Sequence, residues 1–201
     1  GVCVCSRVRG TGWLEGVVGV RARGGRINEG GSGTQGLAGG GREVGANGAV
    51  RCPGLIDTRA HDDVAFFRHP GMEVKLSQGV TTVVSGNCGF SAIPADPTKD
   101  SVAASGGILA GLEGEFTDLD GYYAAALARQ PAINNMMLVG HNTVRSLVMG
   151  DSKSAPTDSE LREMQGHVTH ALEQGACGFS SGLIYRPGRF SNTEEVTELA
   201  K

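Results

Sequence analysis

The chain has 201 residues, a formal net charge of −3 and 39% hydrophobic residues, which is typical of a globular protein with a single core. The balanced charges lack the basic excess of a nucleic-acid-binding surface, and no apolar run is long enough to cross a membrane. Five scattered cysteines, an odd number, argue against a disulfide-stapled secreted scaffold. We therefore expect a cytoplasmic protein whose partner is neither nucleic acid nor a membrane.

Glycine is distributed unevenly, because 16 of the 33 glycines lie in the first 50 residues. Such a glycine-rich segment buries too little apolar surface to offset the entropy lost on ordering. We therefore expect residues 1–50 to be poorly ordered or degraded, with one strand around Val17 to Val20. The ordered domain is predicted to span residues 51–201.

From Val50 onward, short apolar strands alternate with helical stretches, which is the order of βα units. A short buried strand is predicted over Leu55 to Asp57. A helical piece over Glu73 to Gln78 should stop at Gly79, where a left-handed residue can end it. The β-branched run Val80 to Val84 predicts the next strand. The first part of this domain therefore contains two strands joined by a helical segment.

The second part continues the same alternation. A helix is predicted over Thr117 to Gln130, opened by a cap formed by Thr117 and Asp120 and followed by a strand over Ile133 to Val139. Helical spacing of apolar residues predicts the clearest amphipathic helix over residues 158–174, and a strand over Ala176 to Ser180 follows it. Asn192 and Glu195 indicate the start of one more helix.

The polar residues with chemical potential follow the predicted strands directly. The loop residues concerned are Arg59, His61, Asp62 and Asp63 after the first strand, Asn87 and Cys88 after the second, His141 after the third, and Ser180, Ser181 and Tyr185 after the last. In barrels of βα units, the loops at the carboxyl ends of the strands form the active site. The sequence therefore predicts an α/β fold, part of a TIM-type (β/α) barrel.

Four segments carry a family resemblance. Val50 to Asp63, which reads VRCPGLIDTRAHDD, resembles the barrel-opening PGFID-x-H-x-H signature of the amidohydrolase superfamily. The segments QGVTTVVSGNCG (78–89), VGHNTVR (139–145) and GFSSGLIYRPG (178–188) resemble the N-acyl-D-amino-acid deacylase, or D-aminoacylase, branch. Within them Gly-Asn-Cys-Gly is the most specific element, because most amidohydrolases place no cysteine there.

The resemblance implies a zinc hydrolase that cleaves the amide bond of N-acyl-D-amino acids, with Cys88 and His61 as metal ligands. A thiolate is a strong zinc ligand, and zinc activates water while polarising a carbonyl. We predict that Tyr185, Ser181 and His141 line the substrate pocket. The family's two further histidine ligands and its general acid/base aspartate are expected beyond Lys201. The chain is accordingly expected to be the amino-terminal to middle part of a longer protein, and inactive alone.

Two departures from the family pattern favour a different outcome, a non-catalytic remnant of the family. Arg59 occupies the position of the first histidine in H-x-H, and a guanidinium has no lone pair to offer a metal. At the position of residues 1–50 the family has a small β domain, and these residues retain little resemblance to it. Metal content and turnover of the complete reading frame would separate the enzyme from the remnant.

Structural roles compete with each of these site predictions. Cys88 could be a buried small hydrophobic residue, His61 could cap its loop through Asp62 or Asp63, and His141 could be a hydrogen-bonded histidine at a strand end. The G-x-S-x-G pattern of residues 178–182 would make Ser180 the nucleophile of a serine hydrolase, but a poor helix start follows it. A G-x-G-x-x-G pattern at residues 31–36 lies in sequence so rich in glycine that the match has little meaning.

Overall fold

The computed structural model describes residues 52–96, 109, 112 and 116–201 with their side chains, together with the backbone of residues 2–8, 17–23, 26–32 and 42–51. The chain divides into two compact units, Gly1–Gly54 and Leu55–Lys201. Each unit has its own sheet. No helix in the described part of the chain is long and apolar enough to cross a membrane.

In its described residues the first unit contains four strands, β1 (Val2–Val8), β2 (Val17–Arg23), β3 (Arg26–Ser32) and β4 (Arg42–Arg51), in the order β3-β2-β1-β4. β1 pairs antiparallel with β2 and parallel with β4, and β2 pairs antiparallel with β3. The prediction of one strand around Val17 to Val20 is therefore corrected to four. Of the other three, β1 and β4 pair with each other across the unit, whereas β3 forms a hairpin with β2 in glycine-rich sequence that carries little local signal for a strand. Whether residues 1–50 are a remnant of a small β domain stays a prediction.

The second unit is α/β, with a parallel sheet in the order β5-β6-β7-β8 that curls into half of a barrel. Its strands are β5 (Leu55–Asp57), β6 (Val80–Ser85), β7 (Asn134–Gly140) and β8 (Gly178–Ser180). The helices are α1 (Ala65–Arg68), α2 (Glu73–Leu76), α3 (Leu119–Ala128), α4 (His141–Met149), α5 (Asp158–Glu173) and α6 (Thr193–Leu199), with a 3-10 turn at Gly188–Phe190. The predicted partial barrel is confirmed.

The core lies between the sheet and its helices. Alternation along β7 buries Met137 and Val139 in this core, while Met136, which points to the opposite face, is 47% exposed. Tyr122 of α3 and Met164 of α5 are buried in the same core. Because the four strands are parallel, the loops that follow them lie at one edge of the sheet.

Two local predictions need correction, and one helix was not predicted. Leu55 and Ile56 were predicted to be buried but are 57% and 59% exposed, because β5 pairs only with β6 at one edge of the described sheet. The cap of α3 is Asp118, whose carboxylate accepts a hydrogen bond from Gly121 N, rather than the pair Thr117 and Asp120. The sequence also gave no signal for α4, which begins directly at His141.

Other predicted boundaries agree closely with the structure. Gly79 has a φ of 78°, the left-handed conformation expected after α2. Thr157 and Glu160 form a reciprocal capping box at the start of α5. The side chain of Asn192 accepts a hydrogen bond from Glu195 N at the start of α6. These helices begin where short side chains satisfy the free N–H groups of the first turn.

Candidate functional site

The carboxyl ends of the four parallel strands carry the candidate site. Direct contacts connect the loop after β5 to the loop after β6, and the loop after β6 to Ser180, the last residue of β8, where the final loop begins. The amino end of α4, directly after β7, contacts both of the latter loops. The structure therefore brings the four sequence-predicted loops together at one edge of the sheet, as expected for a βα barrel.

Cys88 lies in a strained turn after β6. Its φ of 57° is in the left-handed region, which non-glycine residues seldom adopt, and its neighbours Gly86 and Gly89 also have positive φ, at 76° and 82°. A Cβ on Gly86 would come within 2.0 Å of the carbonyl oxygen of Leu138. Such strain persists where the surroundings enforce it, and it concentrates at functional sites.

Asn142, the second residue of α4, enforces this turn. Its buried amide donates to the carbonyl oxygens of Cys88 at 3.2 Å and Gly182 at 3.3 Å, and its carbonyl oxygen accepts from Gly188 N at 2.6 Å. A Cβ on Gly182 would lie 2.1 Å from the Cys88 carbonyl oxygen, so only glycine allows this approach. One side chain therefore joins the Cys88 turn to the loop after β8. Sequence reasoning missed Asn142, although it lies inside the 139–145 motif.

Arg59 contacts the thiol of Cys88. Its Nη2 lies 3.5 Å from the sulfur, and its backbone N–H donates to Asp57 Oδ1 at 3.2 Å. The guanidinium is exposed and permanently charged. The position at which the family signature has a metal-binding histidine therefore places a fixed positive charge beside the sulfur.

His61, the other predicted ligand of this loop, is exposed. Partial desolvation of its imidazole, together with the charge of Arg59, holds the pKa of His61 below its ordinary value. Over residues 52–96, 109, 112 and 116–201, no three side chains of histidine, cysteine, aspartate or glutamate lie close enough together to hold a metal ion. The metal-binding roles of Cys88 and His61 stay predictions.

The two aspartates after His61 serve the loop itself. Lys75 Nζ lies 2.7 Å from Asp57 Oδ2 and 2.9 Å from Asp62 Oδ2, which joins the start of the loop to α2. Asp63 is buried and accepts hydrogen bonds from Gly86 N at 3.3 Å and Ala92 N at 3.1 Å. Burial raises the pKa of Asp63 to about 6. Asp63 thereby ties the loop after β5 to the Cys88 turn.

His141 belongs to a buried polar network. Its Nε2 lies 2.9 Å from Glu195 Oε1, and its Nδ1 lies 3.3 Å from the hydroxyl of Ser181. Arg145 Nη1 donates to the second oxygen of Glu195, and Ser191 donates to the first at 2.9 Å. The side chains of His141, Arg145 and Glu195 are fully buried. The sequence indicated Glu195 only as a first-turn residue of α6, because nothing local shows that its side chain reaches α4.

Ser180 and Ser181 have different environments although they are adjacent. The hydroxyl of Ser180 donates to Gly86 O and accepts from Gly89 N, so it supports the Cys88 turn. No helix follows β8 directly, as a nucleophile elbow requires. Ser181 is exposed and next to His141, and the exposed Tyr185 packs against Phe90 with ring centroids 5.6 Å apart.

No family model matches this chain. N-acyl-D-glutamate deacylase of Alcaligenes xylosoxydans xylosoxydans is 43% identical over 160 residues, covering 80% of this chain and 32% of the relative. D-aminoacylase of the same organism is 38% identical over 162 residues, covering 79% and 32%. The chain thus spans about a third of the length of these curated relatives.

Solved structures give the same result. The zinc and phosphonate complex of N-acyl-D-glutamate deacylase from Bordetella bronchiseptica superposes with a TM-score of 0.87 at 39% identity, covering 99% of this chain and 42% of the other. A D-aminoacylase with a binuclear metal centre, described by one-metal activation and second-metal attenuation, gives 0.83 at 34% identity with the same coverage. Sequence and structure therefore agree that this chain belongs to the N-acyl-D-amino-acid deacylase (D-aminoacylase) family of the amidohydrolases.

Proposed function

We propose that this chain is part of a longer cytoplasmic deacylase that hydrolyses the amide bond of N-acyl-D-amino acids, releasing a carboxylate and a D-amino acid. The observation that carries the proposal is the strained Cys88 turn, held by Asn142 at the carboxyl end of β6. A buried structural cysteine needs no left-handed backbone and no such clamp. The relatives that share this part of the chain are deacylases of the same substrate class.

The donor atoms on this chain fit zinc in type but not in number. Cys88 supplies a thiol and His61 an imidazole, both preferred by zinc, whereas a catalytic zinc site needs three protein ligands. We infer that these two residues hold zinc together with ligands from the rest of the protein. The chemistry that such an ion supplies is polarisation of the amide carbonyl and activation of water.

Arg59 restricts how many ions the site can hold. Its guanidinium lies within 3.5 Å of the Cys88 sulfur, offers no lone pair and repels a second cation. We infer that the intact protein binds one zinc ion rather than the pair implied by a binuclear centre. Arg59 then supplies the positive charge that a second ion would bring, but it cannot bind and exchange ligands as an ion does.

The substrate pocket is proposed to lie over the loops after β7 and β8, with Tyr185, Ser181 and His141 in its wall. Tyr185 presents an exposed ring that is supported by Phe90, which suits an apolar acyl or side-chain group. The exposed Ser181 hydroxyl offers hydrogen bonding to an amide or carboxylate. His141 is fully buried and acts on the pocket through Ser181.

The proposal is tested by assaying the complete protein for release of D-amino acids from N-acyl-D-amino acids, with zinc content measured in parallel. Cys88→Ala should lose both zinc and turnover. Cys177→Ala is the matched control, because this exposed cysteine precedes β8 at the opposite end of the strand. Unchanged zinc content in Cys88→Ala would remove Cys88 from the metal site.

A non-catalytic remnant is the second candidate, favoured by Arg59 in the ligand position. The same experiment separates the two, because a remnant would retain its fold without turnover whatever metal is supplied. Turnover by the zinc-loaded complete protein would exclude it.

A further inference from the structure

A serine, a histidine and a glutamate form a continuous hydrogen-bonded chain beside the Cys88 turn. Ser181 Oγ lies 3.3 Å from His141 Nδ1, and His141 Nε2 lies 2.9 Å from Glu195 Oε1. We propose that Ser181 is a nucleophile that accepts an acyl group from a carboxylic ester, with His141 as its base and Glu195 as the group that orients the base. This activity needs no metal, and so it goes beyond the proposed deacylation.

The carboxylate end of the chain is built to stay ionised. Burial opposes ionisation of Glu195, but hydrogen bonds from His141 and Arg145 outweigh it and hold the pKa of Glu195 below its ordinary value. Ser191 adds a third donor at 2.9 Å. Arg145 is itself held by donating to Ser154 O at 2.7 Å, so the whole group is fixed.

An ionised Glu195 determines the tautomer of His141. A carboxylate can only accept hydrogen bonds, so Nε2 must carry the proton that faces it. In the neutral ring Nδ1 is then left with a lone pair, and the group that Nδ1 faces is the Ser181 hydroxyl. Nucleophile, base and orienting carboxylate therefore occupy the order that defines an activated serine.

Ser181 is also the accessible member of the serine pair. It is exposed at the carboxyl end of β8, whereas the neighbouring Ser180 has its hydroxyl engaged as both donor and acceptor by the backbone of the Cys88 turn. Because Ser181 is exposed, an ester can reach it from solvent. His141 and Glu195 stay fully buried behind it, shielded from water.

The reaction balances with water as the second substrate. Ser181 Oγ bonds to the ester carbonyl carbon while its proton passes to His141 Nδ1. The bond from the carbonyl carbon to the alkoxy oxygen breaks, and the leaving alcohol takes that proton. Water then attacks the acyl-serine, giving its proton to Nδ1, and the carboxylic acid leaves as Ser181 recovers the proton.

The first test labels the complete protein with a fluorophosphonate probe in the presence of EDTA and maps the modified peptide by mass spectrometry. The probe should form one Ser181 Oγ–phosphorus bond with loss of fluoride, and Ser181→Ala should abolish it. Ser159→Ala, which removes an exposed serine on α5, should label like the parent chain. His141→Gln should slow labelling about a hundredfold. Equal labelling of the parent chain and Ser181→Ala would overturn the proposal.

A second measurement guards against loss of fold in the network variants. Ser181→Cys should give a thiol whose alkylation by iodoacetamide persists at lower pH than that of Ser159→Cys, because an imidazole accepts its proton. Identical pH profiles at the two positions would overturn the proposal. Both tests run without metal, so their outcome is independent of zinc binding by Cys88 and of D-amino acid release by the complete protein.

Discussion

The guanidinium of Arg59, in the loop after β5, lies 3.5 Å from the sulfur of Cys88, in the loop after β6. The family signature has an imidazole at the position that this cation occupies. We expect Arg59→His in the complete protein to raise the zinc bound per chain, because a neutral ligand replaces a fixed charge. Metal analysis after dialysis measures the ratio. Arg68→His, an exposed position at the end of α1, is the control. An unchanged ratio in Arg59→His would show that Arg59 does not limit metal binding.

Asn142 is expected to hold the site loops together more than any other single side chain. Asn142→Ala leaves the carbonyls of Cys88 and Gly182 and the N–H of Gly188 without this partner, at a cost of about 1–3 kcal/mol in the free energy of unfolding. Urea unfolding measures the loss, and hydrogen exchange should accelerate at Gly188. Asn134→Ala, which removes an exposed bond to Thr81 O, should cost much less. Equal losses of unfolding free energy in the two variants would show that Asn142 does not hold the site loops together.

Local sequence signals predict the elements of this fold better than they predict the contacts between them. The strands and the loop positions after them could be predicted, because β-branched runs and glycine stops are local signals. Cys88 was found through its motif, yet its contact with Arg59 depends on the pairing of β5 with β6. Glu195 reaches His141 across 54 residues, a distance over which no periodicity operates. Three of the four strands described in residues 1–51 were missed, because β1 and β4 pair with each other across the unit and glycine-rich sequence carries little local signal for β3.

The cap of α3 gives a prediction with a defined pH dependence. The hydrogen bond from Gly121 N, followed by the one from Gln174, lowers the pKa of Asp118 below its ordinary value. An acid with a lowered folded pKa contributes stability above its unfolded pKa and loses it as the pH falls. The stability advantage of the parent chain over Asp118→Asn, which keeps a cap acceptor, should therefore shrink below about pH 4.

Thermal melts of the parent chain and Asp118→Asn at pH 3 to 7 measure this difference. Asp118→Ala should in addition cost about 1 kcal/mol at all pH values, because the cap acceptor is lost. A stability difference that does not change with pH would show that Asp118 acts without its charge.

The last prediction concerns the 201-residue chain by itself, which we expect to associate and to release no D-amino acid from N-acyl-D-amino acids. Leu55 and Ile56 are more than half exposed on β5, which pairs only with β6 in the described sheet, so an apolar strand edge is open to a second chain. Light scattering should therefore rise with concentration, and Ile56→Lys should reduce it without lowering the melting temperature. Val74→Lys, at an apolar and still more exposed position on α2, is the control for added charge. Catalysis fails separately, because the thiol of Cys88 and the imidazole of His61 are two donors where a catalytic zinc needs three. Zinc-dependent turnover by a chain that stays monomeric would contradict this prediction. It would mean that side chains of this chain are sufficient to hold a catalytic zinc, at a site other than the pair Cys88 and His61.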